Sequence, residues 1–85
     1  IIIKVKYGLT LDEYDLLFEK QNKVCAICGG VNKSKDGKEK RLSIDHCHLT
    51  GRVRGLLCTR CNLGLGMLKD NVDLFRKSVD YLLKT

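Results

Sequence analysis

Four of the five cysteines stand in two C-x-x-C pairs, Cys25/Cys28 and Cys58/Cys61. Two residues between cysteines let both thiolates reach one ion from a single tight turn. Two such turns complete the tetrahedral four-sulfur shell that structural zinc prefers. The glycines of Cys25-Ala26-Ile27-Cys28-Gly29-Gly30 allow the backbone to turn tightly around whatever the sulfurs hold. A redox C-x-x-C accompanies a thioredoxin-like βαβ pattern, which this sequence lacks, and two disulfides need an oxidising compartment, for which no secretory signal is visible. The spacing points to structural Zn²⁺ in a closed shell, a staple with no position open for catalysis. Cys47 is the odd cysteine. Strand alternation puts it on the face of Asp45 and opposite His46, and it reads as a small buried packing residue.

Asp45, His46, His48 and Asn62 form a second constellation. Both histidines of the chain lie in one short segment, beside an acid and between the two cysteine pairs. A carboxylate and an amide oxygen are hard donors suited to Mg²⁺. A neutral imidazole beside such an ion can take a proton from water near neutral pH. Asn62 directly follows Cys61, so the second knuckle fixes its place against the segment that carries the histidines.

The elements that must position these groups are legible in outline. Thr10-Leu11-Asp12-Glu13 is a capping box, and Leu11, Tyr14, Leu17 and Phe18 recur at helical spacing, so a helix is expected from about Leu11 to Asn22. Residues 32–41, NKSKDGKEKR, read as a solvated loop. Leu42 to His48 largely alternates and reads as a strand, Thr50-Gly51 as a turn, and Arg52 to Leu57 as the return strand of a hairpin. The hairpin fills the long gap, residues 29 to 57, between the cysteine pairs. Asn62 to Leu68 reads as a short helix. Asp70 reads as the N-cap of a last helix to about Lys84, with Val72, Phe75, Val79, Leu82 and Leu83 as its apolar stripe. The fold class is therefore α+β, with an N-terminal and a C-terminal helix around a zinc-stapled hairpin.

With 85 residues, the chain is expected to form one domain, residues 1–85, too small for a catalytic barrel or a doubly wound sheet. A domain this short often needs a staple, which the zinc provides. It lacks an apolar run of membrane-spanning length, so no membrane is expected as a partner. Sixteen Lys and Arg against ten Asp and Glu give a net charge of +6, which favours a polyanionic partner, most simply nucleic acid.

The string D-H-C-H-L-T-G-R-V-R-G-L-L-C-T-R-C-N-L-G-L-G, Asp45 to Gly66, resembles the recombination endonuclease VII family of phage nucleases. That family belongs to the HNH, or ββα-metal (His-Me finger), nucleases. The match extends upstream through Tyr7-Gly8-Leu9-Thr10, the first helix and the Cys25/Cys28 knuckle.

The resemblance implies a small ββα-metal nuclease domain that cuts DNA to 5′-phosphate and 3′-hydroxyl ends. It implies that Asp45 and Asn62 hold a catalytic Mg²⁺ or Mn²⁺, that His46 is the general base, and that His48 orients the phosphate or supports the site. Cys25, Cys28, Cys58 and Cys61 hold the structural zinc. Arg52 and Arg54 are candidates for phosphate contact. The basic loop of residues 33–41 and the Lys4/Lys6 arm are candidates for backbone contact. Members that resolve branched DNA carry a long C-terminal part that builds an intertwined dimer, whereas a short tail follows Cys61 here. Nicking or general double-strand cleavage is therefore expected as much as junction resolution, and monomer and homodimer both stay open. Some members also place a carboxylate three residues after the Asn, where this chain has Leu65. The expected setting is the cytoplasm of a phage-infected or phage-derived bacterial host. The alternative is a non-catalytic zinc-stapled module that binds nucleic acid, with a zinc-dependent protein-interaction module a distant third.

Overall fold

The structure, a computed structural model, describes residues 9–84. The elements run α1 (Leu11–Lys20), β1 (Ser43–His46), β2 (Val53–Leu57), α2 (Thr59–Met67) and α3 (Val72–Leu83). The two strands form one antiparallel hairpin, so the fold is α+β, with three helices among the described residues.

Helix α1 begins as its sequence dictates. Thr10 accepts from the Glu13 N–H at 3.1 Å, and Glu13 returns the favour at the Thr10 N–H at 2.9 Å. It ends at Gln21, just before Asn22 and Lys23, which both take positive φ. Gln21 then docks the helix end on the hairpin. Its amide accepts from the Leu56 N–H at 2.8 Å and donates to the Leu56 carbonyl at 2.9 Å, which is how a neighbouring strand would pair. Gly55 permits that approach, since a Cβ there would stand 3.2 Å from the Gln21 Oε1. Tyr14 buries its ring on the same side and donates its hydroxyl to the Leu42 carbonyl at 2.6 Å. The core is small: Tyr14, Cys25, Leu42, Leu56, Leu57 and Cys58, with Leu9, Leu17, Phe18 and Ile44 packed against it.

Several expectations need correction. The first strand stops at His46, so Cys47 lies in the turn and is half-buried, not buried. Its amide donates to Arg52 O at 2.8 Å and its carbonyl accepts from Gly51 at 2.7 Å, which uses its backbone to close the hairpin. The loop of residues 32–41 is exposed except at its start. Asn32 is buried, donates to Arg41 O at 2.7 Å and accepts from the Thr59 N–H at 3.0 Å, tying the loop to the N-terminus of α2. Helix α2 starts at Thr59, capped by Cys58, earlier than the expected start at Asn62. Asp70 is not the cap of α3. Asn71 is, accepting from Leu74 N–H at 3.3 Å, because Asp70 sits one residue earlier in a left-handed turn with φ of 55°. The last helix forms where expected, but no residue of α3 is buried, and Val72, Val79, Leu82 and Leu83 stand exposed.

Candidate metal centre and active-site cavity

The two knuckles meet. One Sγ from each of Cys25, Cys28, Cys58 and Cys61 lies within 4.8 Å of all the others. Cys28 and Cys58 are 3.8 Å apart, close to the edge of about 3.8 Å that a tetrahedron with Zn–S of about 2.3 Å requires. Each knuckle also aims backbone N–H groups at its sulfurs. Ile27 and Cys61 donate to Cys25 and Cys58 at 3.4 and 3.5 Å, and Gly30 donates to Cys28 at 3.4 Å. Gly29, at φ 71°, makes the first of these turns possible.

These groups divide the thiols electrostatically. Burial pushes the Cys25 thiol up, but hydrogen bonds from the Cys58, Cys28 and Ile27 backbones and from the Cys28 side chain outweigh it and bring it down to about 6. The Gly30 N–H, against a smaller burial effect, lowers Cys28. Cys61 is pushed up to about 12 by burial and by the thiols beside it. Four sulfurs this close cannot all ionise without a cation, and the donor set fits structural zinc, with no hard oxygen among the four. Among the described residues this is the one group of three or more Cys, His, Asp or Glu close enough to share an ion.

A polar cavity of about 240 Å³ is lined by Ile44, Asp45, His46, His48, Asn62, Gly66 and Asp70. Asp45 and His46 come from β1, His48 from the turn that follows it, and Asn62 from α2. Adjacent residues on a helix differ by about 100° in direction, so Cys61 serves the metal cluster while Asn62 lines the cavity. The His46 and His48 rings meet edge to face with centroids 5.4 Å apart.

Asp45 is buried and ion-paired. Arg54 grips both its oxygens, Nε to Oδ2 at 2.7 Å and Nη2 to Oδ1 at 3.0 Å. The grip exists because the hairpin slips by one residue. Asp45 pairs with Gly55 but His46 with Val53, which leaves Arg54 as a bulge. In a regular ladder Arg54 would stand opposite His46; the bulge turns it to Asp45 instead. Its guanidinium also reaches Asp70 Oδ2 at 3.1 Å, and its hydrogen bond to Asp45, aided by that second acid, raises its already high pKa further. Arg54 is therefore engaged with two carboxylates; like Arg52 it is exposed. Asp70 is the cavity residue that sequence reading missed. The signal was the acid after Leu68-Lys69, which resembled a helix cap. Lys4 and Lys6 lie outside the described residues.

A family model described as recombination endonuclease VII matches residues 2–84. The chain is 49% identical over 82 residues to the Gene 59 protein of Mycobacterium phage L5, covering 95% of this chain and 48% of that protein. It is 47% identical over 83 residues to the Gene 59 protein of Mycobacterium phage D29, covering 96% and 48%. The chain thus spans about half the length of the curated relatives it matches. No solved structure matches it. No helix of the described residues is long and apolar enough to cross a membrane.

Proposed function

The chain belongs to the recombination endonuclease VII family, and on that premise we propose that residues 1–85 act as one metal-dependent DNA endonuclease domain that hydrolyses phosphodiesters to 5′-phosphate and 3′-hydroxyl ends. The observation that carries the reading is the cavity: Asp45, His46, His48 and Asn62, drawn from β1, the turn and α2, line one polar space beside the cysteine cluster.

The donor chemistry fits a hard divalent ion. Asp45 and Asn62 would hold it through a carboxylate and an amide oxygen. A carboxylate offers about four lone-pair sites, so the two bonds from Arg54 orient Asp45 without exhausting it. When bound, Mg²⁺ or Mn²⁺ supplies positive charge that offsets the phosphodiester and stabilises the departing 3′ oxygen. His46 takes the proton from the attacking water. His48, at the cavity mouth and well exposed, orients the phosphate. Arg52 and the basic loop of residues 33–41 hold the DNA backbone, a role that suits the +6 net charge.

Nicking of supercoiled plasmid with Mg²⁺ or Mn²⁺, run beside a His46→Ala variant and a synthetic four-way junction, tests the reading. Divalent-dependent cleavage that His46→Ala loses supports it. DNA binding with no cleavage in any divalent ion leaves the non-catalytic binding module in its place. Comparison of rates on plasmid and junction decides between linear and branched DNA as the substrate.

A further inference from the structure

Arg54 has the charge of a phosphate contact, but its surroundings give it other work. Its guanidinium donates to three carboxylate oxygens: Nε to Asp45 Oδ2 at 2.7 Å, Nη2 to Asp45 Oδ1 at 3.0 Å and Nη2 to Asp70 Oδ2 at 3.1 Å. It meets Asp45 in a hollow of about 250 Å³ lined also by Ala26, Ile27, Gly55 and Leu65, with neither histidine nor Asn62 in its wall. Asp45 lines both this hollow and the polar cavity, so the acid is shared between the guanidinium and the space that holds His46 and Asn62. Asp70 reaches the same guanidinium from a bent backbone. Lys69 and Asp70 both lie at φ 55°, a left-handed conformation that is costly for residues with a Cβ and that Asp tolerates better than most. Their amides close back on Gly66 O and Leu65 O, both at 2.9 Å, which pins the turn to the end of α2.

Two acids against one cation leave one negative charge over. A guanidinium paired with Asp45 alone would cancel the charge that a divalent ion needs; divided between two acids, it orients Asp45 without cancelling it. We propose that Arg54 and Asp70 are a pair of positioning residues for Asp45: Asp70 holds Arg54 away from the DNA and takes up part of its charge, and the Arg54 fork fixes the Asp45 carboxylate for a hard divalent ion. The role toward the ion rests on the nuclease reading; the holding of Arg54 away from DNA does not. Lysine at position 54 would keep the charge and lose the planar fork, which separates the two contributions.

Mn²⁺ titration of the zinc-loaded full chain without DNA, read by electron paramagnetic resonance, tests the pair. Arg54→Lys and Asp70→Asn should each weaken Mn²⁺ binding by about tenfold. The double variant should be little weaker than either single one, because both act through one guanidinium. Full additivity would make Asp70 an independent partner of the ion and overturn the pairing. In DNA binding measured against salt, Arg52→Gln should reduce the slope by about one and Arg54→Gln should leave it as in wild type. A slope reduced by Arg54→Gln makes that residue a phosphate contact and overturns the proposal. In plasmid nicking, Arg54→Lys should lower kcat by about tenfold while KM for DNA stays within about twofold, and excess Mn²⁺ should restore most of the rate. A rise in KM with kcat unchanged overturns the proposal too. The wild-type Arg54 Nε–H resonance reads the grip itself, whether or not a variant folds: slow exchange with water supports it, and exchange as fast as that of Arg52 overturns it. If wild type binds no Mn²⁺ and cuts no DNA, the nuclease reading falls and the role toward the ion with it, while the salt slopes still decide whether Arg54 is held away from DNA.

Discussion

The sulfur cluster and the polar cavity flank one hairpin and share one helix, but they are built in opposite ways. Each half of the sulfur cluster is local: Cys25 and Cys28 stand on one turn, Cys58 and Cys61 on another, and backbone amides from within the same few residues face the sulfurs. The cavity is non-local. Its side chains come from β1, the following turn, α2 and the turn before α3, and its buried acid is held by an arginine nine residues away. The first region needs an ion to become stable. The second is tied together by its own side chains: Arg54 is ion-paired to both Asp45 and Asp70, with His48 beside Asp70. A site that must hold the fold is closed around soft ligands. The cavity stays open, polar and dependent on the fold.

The largest expected effect breaks the first region. Chelation of the zinc, or Cys58→Ser, should unfold the chain, because among the described residues the apolar core comprises six buried residues, two of which are cysteines of the cluster. Far-UV circular dichroism reads this, and a spectrum indifferent to complete metal loss would contradict it. Protons compete for the same sulfurs. Cys25 lies below the ordinary thiol value, at about 6, so its contribution is present at high pH and is lost as pH falls through about 6. Bound zinc itself favours the thiolates, so zinc content after dialysis should hold to a lower pH than that and decline on further acidification.

The next effect strikes the cavity and spares the fold. His46→Ala should lose about 10²- to 10⁴-fold in nicking rate with the spectrum and DNA affinity nearly unchanged, and His48→Ala should lose less. Wild-type nicking by His46→Ala beside a dead His48→Ala would move the base to the second histidine. Asp45→Ala and Asn62→Ala should fail for a different reason, weakened binding of the divalent ion. Raising Mg²⁺ or Mn²⁺ should recover part of their rate and none of that of His46→Ala; equal rescue of all three would erase the distinction between ligand and base.

The smallest effect lies in the core that both regions lean on. Tyr14→Phe should cost about 1–3 kcal/mol, since it orphans the buried Leu42 carbonyl. Burial, partly offset by Arg41 and the Leu42 hydrogen bond, raises the Tyr14 pKa above 10.0. The neutral hydroxyl therefore stabilises the fold fully below pH 10 and loses its contribution as pH rises through the folded value. In paired denaturant titrations, the advantage of wild type over Tyr14→Phe should be constant at neutral pH and shrink above 10. An advantage that grows there would reverse the assigned sign.

The sequence by itself determined whatever depends on neighbours a few residues apart. The C-x-x-C spacing and Gly29 specify the sulfur turns, Thr10 and Glu13 specify the start of α1, and the family string from Asp45 to Gly66 names the candidate site residues. Placing Asn62 directly after Cys61 was enough to bring it near the hairpin, because a helix turns by a fixed angle per residue. The tertiary structure alone decided the rest. The return strand offered Arg54 only as a candidate for phosphate contact; a regular ladder would set it opposite His46, and a one-residue slip delivers it to Asp45. A capping pattern makes Asp70 a helix start, and a left-handed turn carries it into the cavity while Asn71 takes the cap. Alternation also made Cys47 a core residue, whereas the strand ends one residue before it. In each case a shift of a single residue reverses which way a side chain faces. Local propensity fixes such a register only weakly, and long-range ion pairs and packing settle it.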